Sequence, residues 1–86
     1  MTREIVVIDV VPRILTLENT VVELFNIINK TSDKEVILDF KGVEFMNVAF
    51  AQKYNELKRE CKKNISEINL GEYASLMSVA INLFEY

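Results

Sequence analysis

The chain has no histidine, no tryptophan, one cysteine, one proline and two glycines among 86 residues. Without histidine it lacks the commonest general base near neutral pH and the commonest metal ligand, so catalysis and a metal cofactor are not expected. The lone Cys61 has no partner for an internal disulfide and fits a reducing compartment. No apolar run reaches the roughly eighteen residues a membrane helix needs. The start Met1-Thr2-Arg3-Glu4 leads into a β-like stretch rather than a signal peptide. A cytoplasmic protein that engages no membrane is therefore expected. Pro12, Gly42 and Gly71 each fall at an element boundary, and no linker, repeat or low-complexity stretch separates them. The expectation is one domain over residues 1–86.

Half of the residues are hydrophobic, 50%, which is enough for a small core. The formal net charge of -3 leaves no electrostatic footprint for nucleic acid. Ile5 to Val11 is a nearly continuous β-branched run and predicts a strand covered on both faces, ended by Pro12. Ile14-Leu15 adds a short edge strand. From Leu17, the apolar residues Val21, Leu24, Phe25 and Ile28 recur at helical spacing, and Thr31 to Lys34 closes that helix. Glu35 to Phe40 predicts the second long strand and Lys41-Gly42 a turn. Asn47 is placed to cap a helix whose buried stripe is Phe50, Tyr54, Leu57 and Cys61. Glu67 to Leu70 reads as a short strand, Gly71 as a break, and Tyr73 to Phe84 as a last helix.

This alternation implies an α/β fold: a small, open, mostly parallel sheet of three to four strands with three helices, joined by right-handed crossovers. The first two long strands should be parallel neighbours. The last helix is apolar over most of its circumference, with Ser75, Ser78, Asn82 and Glu85 on one narrow strip. Its Met77, Ile81 and Phe84 therefore have two readings, packing inside the chain or a self-association surface of a homodimer.

The segment Val36-Ile37-Leu38-Asp39-Phe40-Lys41-Gly42-Val43-Glu44-Phe45-Met46-Asn47-Val48-Ala49-Phe50 resembles the middle of a STAS domain, the module of anti-sigma-factor antagonists. In those proteins an apolar strand ends in Asp-Leu, a Gly-Val turn follows, and an apolar residue with Met-Asp-Ser-Ser opens a helix. The resemblance runs from about Glu35 to Lys63. It is closest to the degenerate STAS-like families that lack the serines and carry Phe-Ala, here Phe50-Ala51. It places Asn47 at the aspartate and Val48-Ala49 at the two serines, so the acceptor of the regulatory phosphate is missing. The resemblance implies a non-catalytic protein-protein interaction module in cytoplasmic signalling or regulation, docking through Phe45, Met46, Asn47, Val48, Ala49, Gln52 and Lys53. The implied partner is a histidine-kinase-type ATPase or an anti-sigma factor. Two alternatives stay open: a small stoichiometric inhibitor or antitoxin-like protein, and a small-ligand-binding α/β domain using Asp9, Asp39 and the helix start.

Other chemistry is sparse. Asp9 and Asp39 near strand ends suggest a receiver-like acidic pocket, but Asp9 lies between Ile8 and Val10 and the third strand offers no lysine. Asp39 is read instead as holding the Lys41-Gly42 turn through the backbone. Lys58, Arg59, Lys62 and Lys63, with Glu56 and Glu60 among them, read as a solvated face that complements the helix dipole. Neither glycine belongs to a phosphate-binding fingerprint. Cys61, on the core stripe with no histidine to activate it, is expected to be a buried thiol.

Overall fold

A computed structural model describes residues 2–84, with side-chain surroundings from Thr2 to Ser78. The elements in chain order are β1 (Thr2–Val6), α1 (Val7–Val10), β2 (Ile14–Leu15), α2 (Glu18–Lys30), β3 (Glu35–Asp39), β4 (Phe45–Met46), α3 (Val48–Glu60), β5 (Asn64–Ile68) and α4 (Tyr73–Phe84). Strands β1, β3 and β5 form a parallel sheet in that order, and β2 and β4 form a separate parallel pair. The fold is α/β, and the first two long strands are parallel neighbours as expected.

Both crossovers step in the same direction, so α2 and α3 lie side by side on one face, with α4 against α3. Period-two alternation then decides each strand's side chains. Val36 and Leu38 of β3 face the helices and are buried, as are Ile5 of β1 and Ile65 of β5. On the opposite face Thr2, Glu4, Glu35, Asn64, Ser66 and Ile68 are exposed, while Val6, Ile37 and Asp39 are half-buried.

Two strand boundaries differ from expectation. The run Ile5 to Val11 is not one strand: the chain leaves the sheet at Val6 and makes the single turn α1. Val7 and Val11, four residues apart, both face the core, a helical spacing that continuous apolarity conceals. The third strand is Asn64–Ile68 rather than Glu67 to Leu70. Its register puts Glu67 beside Leu38 on the helix-facing side, where a carboxylate is not anticipated.

On that side Glu67 meets the hydroxyl of Tyr54. Tyr54 is buried among Phe25, Phe40 and Phe50, with ring centroids at 5.5, 6.1 and 6.4 Å. Its hydroxyl donates to Glu67 Oε2, which also accepts from Lys58 Nζ at 2.8 Å. Burial, followed by the adjacent Glu67 carboxylate, holds the Tyr54 hydroxyl far above the usual phenol range, so it acts only as a neutral donor. The buried stripe of α2, comprising Thr20, Val21, Leu24, Phe25 and Ile28, completes this core.

The last helix is held from within the chain. Asn55, itself buried on α3, donates from Nδ2 to the carbonyl of Met77 at 3.1 Å. The Met77 side chain is buried in the same core, which corrects its reading as a self-association residue: α3 covers it. The side chains of Ile81 and Phe84 lie outside the described residues.

Truncating the aromatic centre should be among the costliest single changes. Tyr54→Ala is expected to cost about 3–5 kcal/mol in urea-induced unfolding, the range for deleting a large buried aromatic. Tyr54→Phe keeps the packing and loses the hydroxyl's bond to a charged acceptor, at about 1.5–3 kcal/mol.

Candidate partner-binding surface

Asn47 organises the segment where β2, β4 and α3 meet. Its backbone N–H donates to Leu15 O at 3.1 Å, and its Nδ2 reaches Thr16 O at 3.4 Å. Its Oδ1 accepts from Phe50 N at 3.0 Å, which is the cap of α3 expected from the sequence. One residue thus fixes where β4 ends, where α3 begins, and how both lie against the chain leaving β2.

Strand alternation sorts the neighbouring side chains. In the β2–β4 pair Leu15 faces Met46 and both are buried, while Ile14 faces Phe45 and both point outward, 55% and 49% exposed. A little further along each path come Leu17, 64% exposed, and Val48, 42% exposed. Ala49 is exposed beside them, because the buried side of α3 belongs to Phe50, Ala51, Tyr54 and Asn55. Four of the seven large hydrophobic side chains that stand exposed among the described residues therefore gather around the start of α3.

The residues expected to form this site divide. Phe45, Val48 and Ala49 are exposed, Asn47 is half-buried and committed to the cap, and Gln52 and Lys53 are half-buried. Lys53 also sits 3.6 Å from Glu56. Met46 is a correction: alternation turns it inward against Leu15, so it supports the surface rather than forming it. Ile14 and Leu17 join the surface without being anticipated. The exposure of Ile14 follows from a pairing across some thirty residues of chain, and Leu17 stands immediately before a helix that it does not cap with a side chain.

The remaining candidates are occupied structurally. Asp39 Oδ1 accepts from Lys41 N at 2.9 Å, as expected, and from Asn69 Nδ2 at 2.9 Å. These bonds, that of Asn69 foremost, hold its carboxyl below the ordinary value of 3.8. The turn needs Gly42, whose φ is 87° and whose missing Cβ would lie 2.6 Å from Ile8 Cδ1. Asp9 is exposed on α1 instead of ending a strand, so it does not join Asp39 in an acidic pocket. Beside Asp39 an open cleft of about 520 Å³ lies between the Lys41-Gly42 turn and the Asn69 to Tyr73 segment. Within the basic cluster, Lys58 pairs with Glu67, and Lys63 donates to Thr31 O and Asp33 O at the end of α2. Cys61 is half-buried at the C-terminal cap of α3, not deep in the core stripe, and its thiol donates to Asn29 Oδ1 at 3.6 Å. Among the described residues no group of three or more His, Cys, Asp or Glu side chains is placed to hold a metal ion, and no helix is long and apolar enough to cross a membrane.

Comparison with family models, with curated proteins and with solved structures gives no match.

The bonds of Asn47 and Asp39 should each register in stability. Asn47→Ala removes the cap and the tether to Thr16, and should cost about 1–2 kcal/mol in chemical denaturation. Asn47→Asp keeps a capping oxygen, loses only the donor, and should cost less. Asp39 has a lowered native pKa, so its contribution to stability is full above 3.8 and is lost as pH falls through the lower native value. Asp39→Asn should therefore be less stable than wild type near neutral pH and show a shallower loss between about pH 5 and about pH 2, read from urea midpoints across that range.

Proposed function

We propose that this chain is a non-catalytic protein-protein interaction module in signalling or regulation, resembling anti-sigma-factor antagonists but working without a phosphorylation switch. The observation that carries this reading is the exposed group Ile14, Leu17, Phe45 and Val48 around a rigidly capped helix start. Side chains of this kind contribute about 1.5–3 kcal/mol each when fully buried. Leaving four of them half in water is unfavourable for a free protein and favourable for one that docks. Their position supports the resemblance, since STAS modules engage regulators at the loop and first turns of this helix. Val48 and Ala49, at the two serine positions, present a small apolar contact with no hydroxyl to modify.

The partner class implied by the resemblance is a histidine-kinase-type ATPase or an anti-sigma factor. A stoichiometric inhibitor would use the same surface, and the identity of the captured protein separates the two. The cleft beside Asp39 is the feature on which a small-ligand reading rests, but Asp9 stands apart from it and Asp39 is already bonded on Oδ1.

Val48→Glu tests the reading. An anion at the first position of α3 suits the helix dipole by about 0.3–1 kcal/mol, so folding should survive. Binding should fail, because a carboxylate would have to enter an apolar contact. The wild type immobilised in extract of its native cell should retain a protein that Val48→Glu does not, and titration calorimetry with that purified protein should show binding weakened by about a hundredfold or more. Retention of full affinity by the variant would place the interaction elsewhere on the chain.

A further inference from the structure

The face of the sheet turned away from the core is fixed by strand register. Its middle row runs Glu4, Ile37, Ser66 across β1, β3 and β5, and the row towards the strand ends runs Val6, Asp39, Ile68. Ile37 is thus the apolar centre of the face, with Glu4 beside it and Glu35 two residues before it on the same side of β3. A shallow depression of about 250 Å³ lies at this end, lined by Ile37, the neighbouring Val36 and the polar residues Thr2, Glu35, Asn64 and Ser66. Parallel sheets ordinarily carry helices on both faces. Here the residues of α2 and α3 pack on the side of Val36 and Leu38, and Glu4, Ser66 and Ile68 on the other side are exposed.

The charge on this face has one sign. Glu4, Glu35 and Asp39 stand on it, and none of its three rows holds a lysine or arginine. Lys34 and Lys41 flank β3 beyond its ends, and Lys41 lies near enough to Asp39 to offset part of its charge. Glu35 accepts only from the neutral hydroxyl of Thr2, at 3.0 Å, and among the described residues Glu4 makes no hydrogen bond or ion pair. Two uncompensated carboxylates therefore border an aliphatic floor. That combination fits a long side chain with an apolar stem and a cationic head, which lays its methylenes on Ile37 and carries its charge to Glu4 and Glu35. The same charge disfavours other covers: a second copy laid face to face brings acid against acid, and nucleic acid or an anionic membrane is repelled.

We propose that the outward face of the β1–β3–β5 sheet takes a basic amphipathic helix of a partner protein, with aliphatic side chains resting on Val6, Ile37 and Ile68 and arginine or lysine heads reaching Glu4 and Glu35. A helix is the element that covers a parallel sheet in α/β folds, and its charge is set by the carboxylates it meets. This surface is distinct from the one around the start of α3, and neither reading depends on the other.

Methyl-resolved NMR titration of the full chain tests this with a synthetic amphipathic helical peptide that carries leucine along one face and arginine and lysine along its margins. The methyl signals of Val6, Ile37 and Ile68 should shift, and those of Ile14, Leu17 and Val48 should not. Replacing every arginine and lysine of the peptide by glutamate should abolish binding, and scrambling its order so that charge falls on all sides should weaken it. The double variant Glu4→Gln/Glu35→Gln, with circular dichroism matching wild type, should bind the basic peptide about tenfold or more weakly, while Val48→Glu should bind it as wild type does. Absence of binding overturns the proposal, as do shifts confined to Ile14, Leu17 and Val48 or equal binding of the acidic or scrambled peptide. So does an affinity that the double variant leaves unchanged. Loss of peptide binding by Val48→Glu overturns it as well, whereas failure of the capture experiment at the start of α3 leaves it standing.

Discussion

Three bonds of Asn47 hold together the part of the molecule where function is sought. The backbone N–H fastens β4 to β2, the amide nitrogen holds the chain leaving β2, and the amide oxygen starts α3. Take them away and the apolar side chains nearby have no fixed arrangement, since two-residue strands have little pairing of their own. An uncapped α3 would also leave a free donor at its first turn. Below this joint lies the aromatic centre, where Phe50, bonded through its N–H to Asn47, stacks on Tyr54. The cap and the core therefore share a residue, and the exposed surface is built directly on the aromatic centre.

The sheet explains why apolar side chains collect at that place. With α2 and α3 on one face, the core takes Ile5, Val36, Leu38 and Ile65 from the sheet and the inner stripes of those two helices. The β2–β4 pair stands apart from this sheet and can turn only one side of each strand inward, Leu15 and Met46. Ile14 and Phe45 are then outward by geometry. Both side chains therefore add less to the core than Leu15 and Met46 do.

Much of the architecture could be read before any coordinates. The helices over Glu18–Lys30 and Val48–Glu60 announce themselves by apolar spacing, and Asn47 and the Lys41-Gly42 turn by local chemistry. What escaped reading is what distant residues decide. Ile5 to Val11 looks uniform, yet Pro12 and the close approach of Ile8 to the Gly42 turn accompany an early exit from the sheet. In β5 the inward positions are Ile65 and Glu67 while Ile68 is exposed, so the alternation looks inverted unless Tyr54 and Lys58 are known to supply partners for a carboxylate. Half of the candidate surface was legible as Phe45, Val48 and Ala49. Ile14 depended on a register that no local window contains, and Leu17 on the chain path that leaves that pair.

The proposed docking role bears on how such a module would be controlled. In a STAS-like protein with serines at the helix start, a phosphate switches docking by charge. The resemblance places Val48 and Ala49 at those positions, and neither has a hydroxyl to modify. Under the proposed docking role, a partner seated on this surface would take four half-exposed hydrophobic side chains, Ile14, Leu17, Phe45 and Val48, out of water without needing a charge switch.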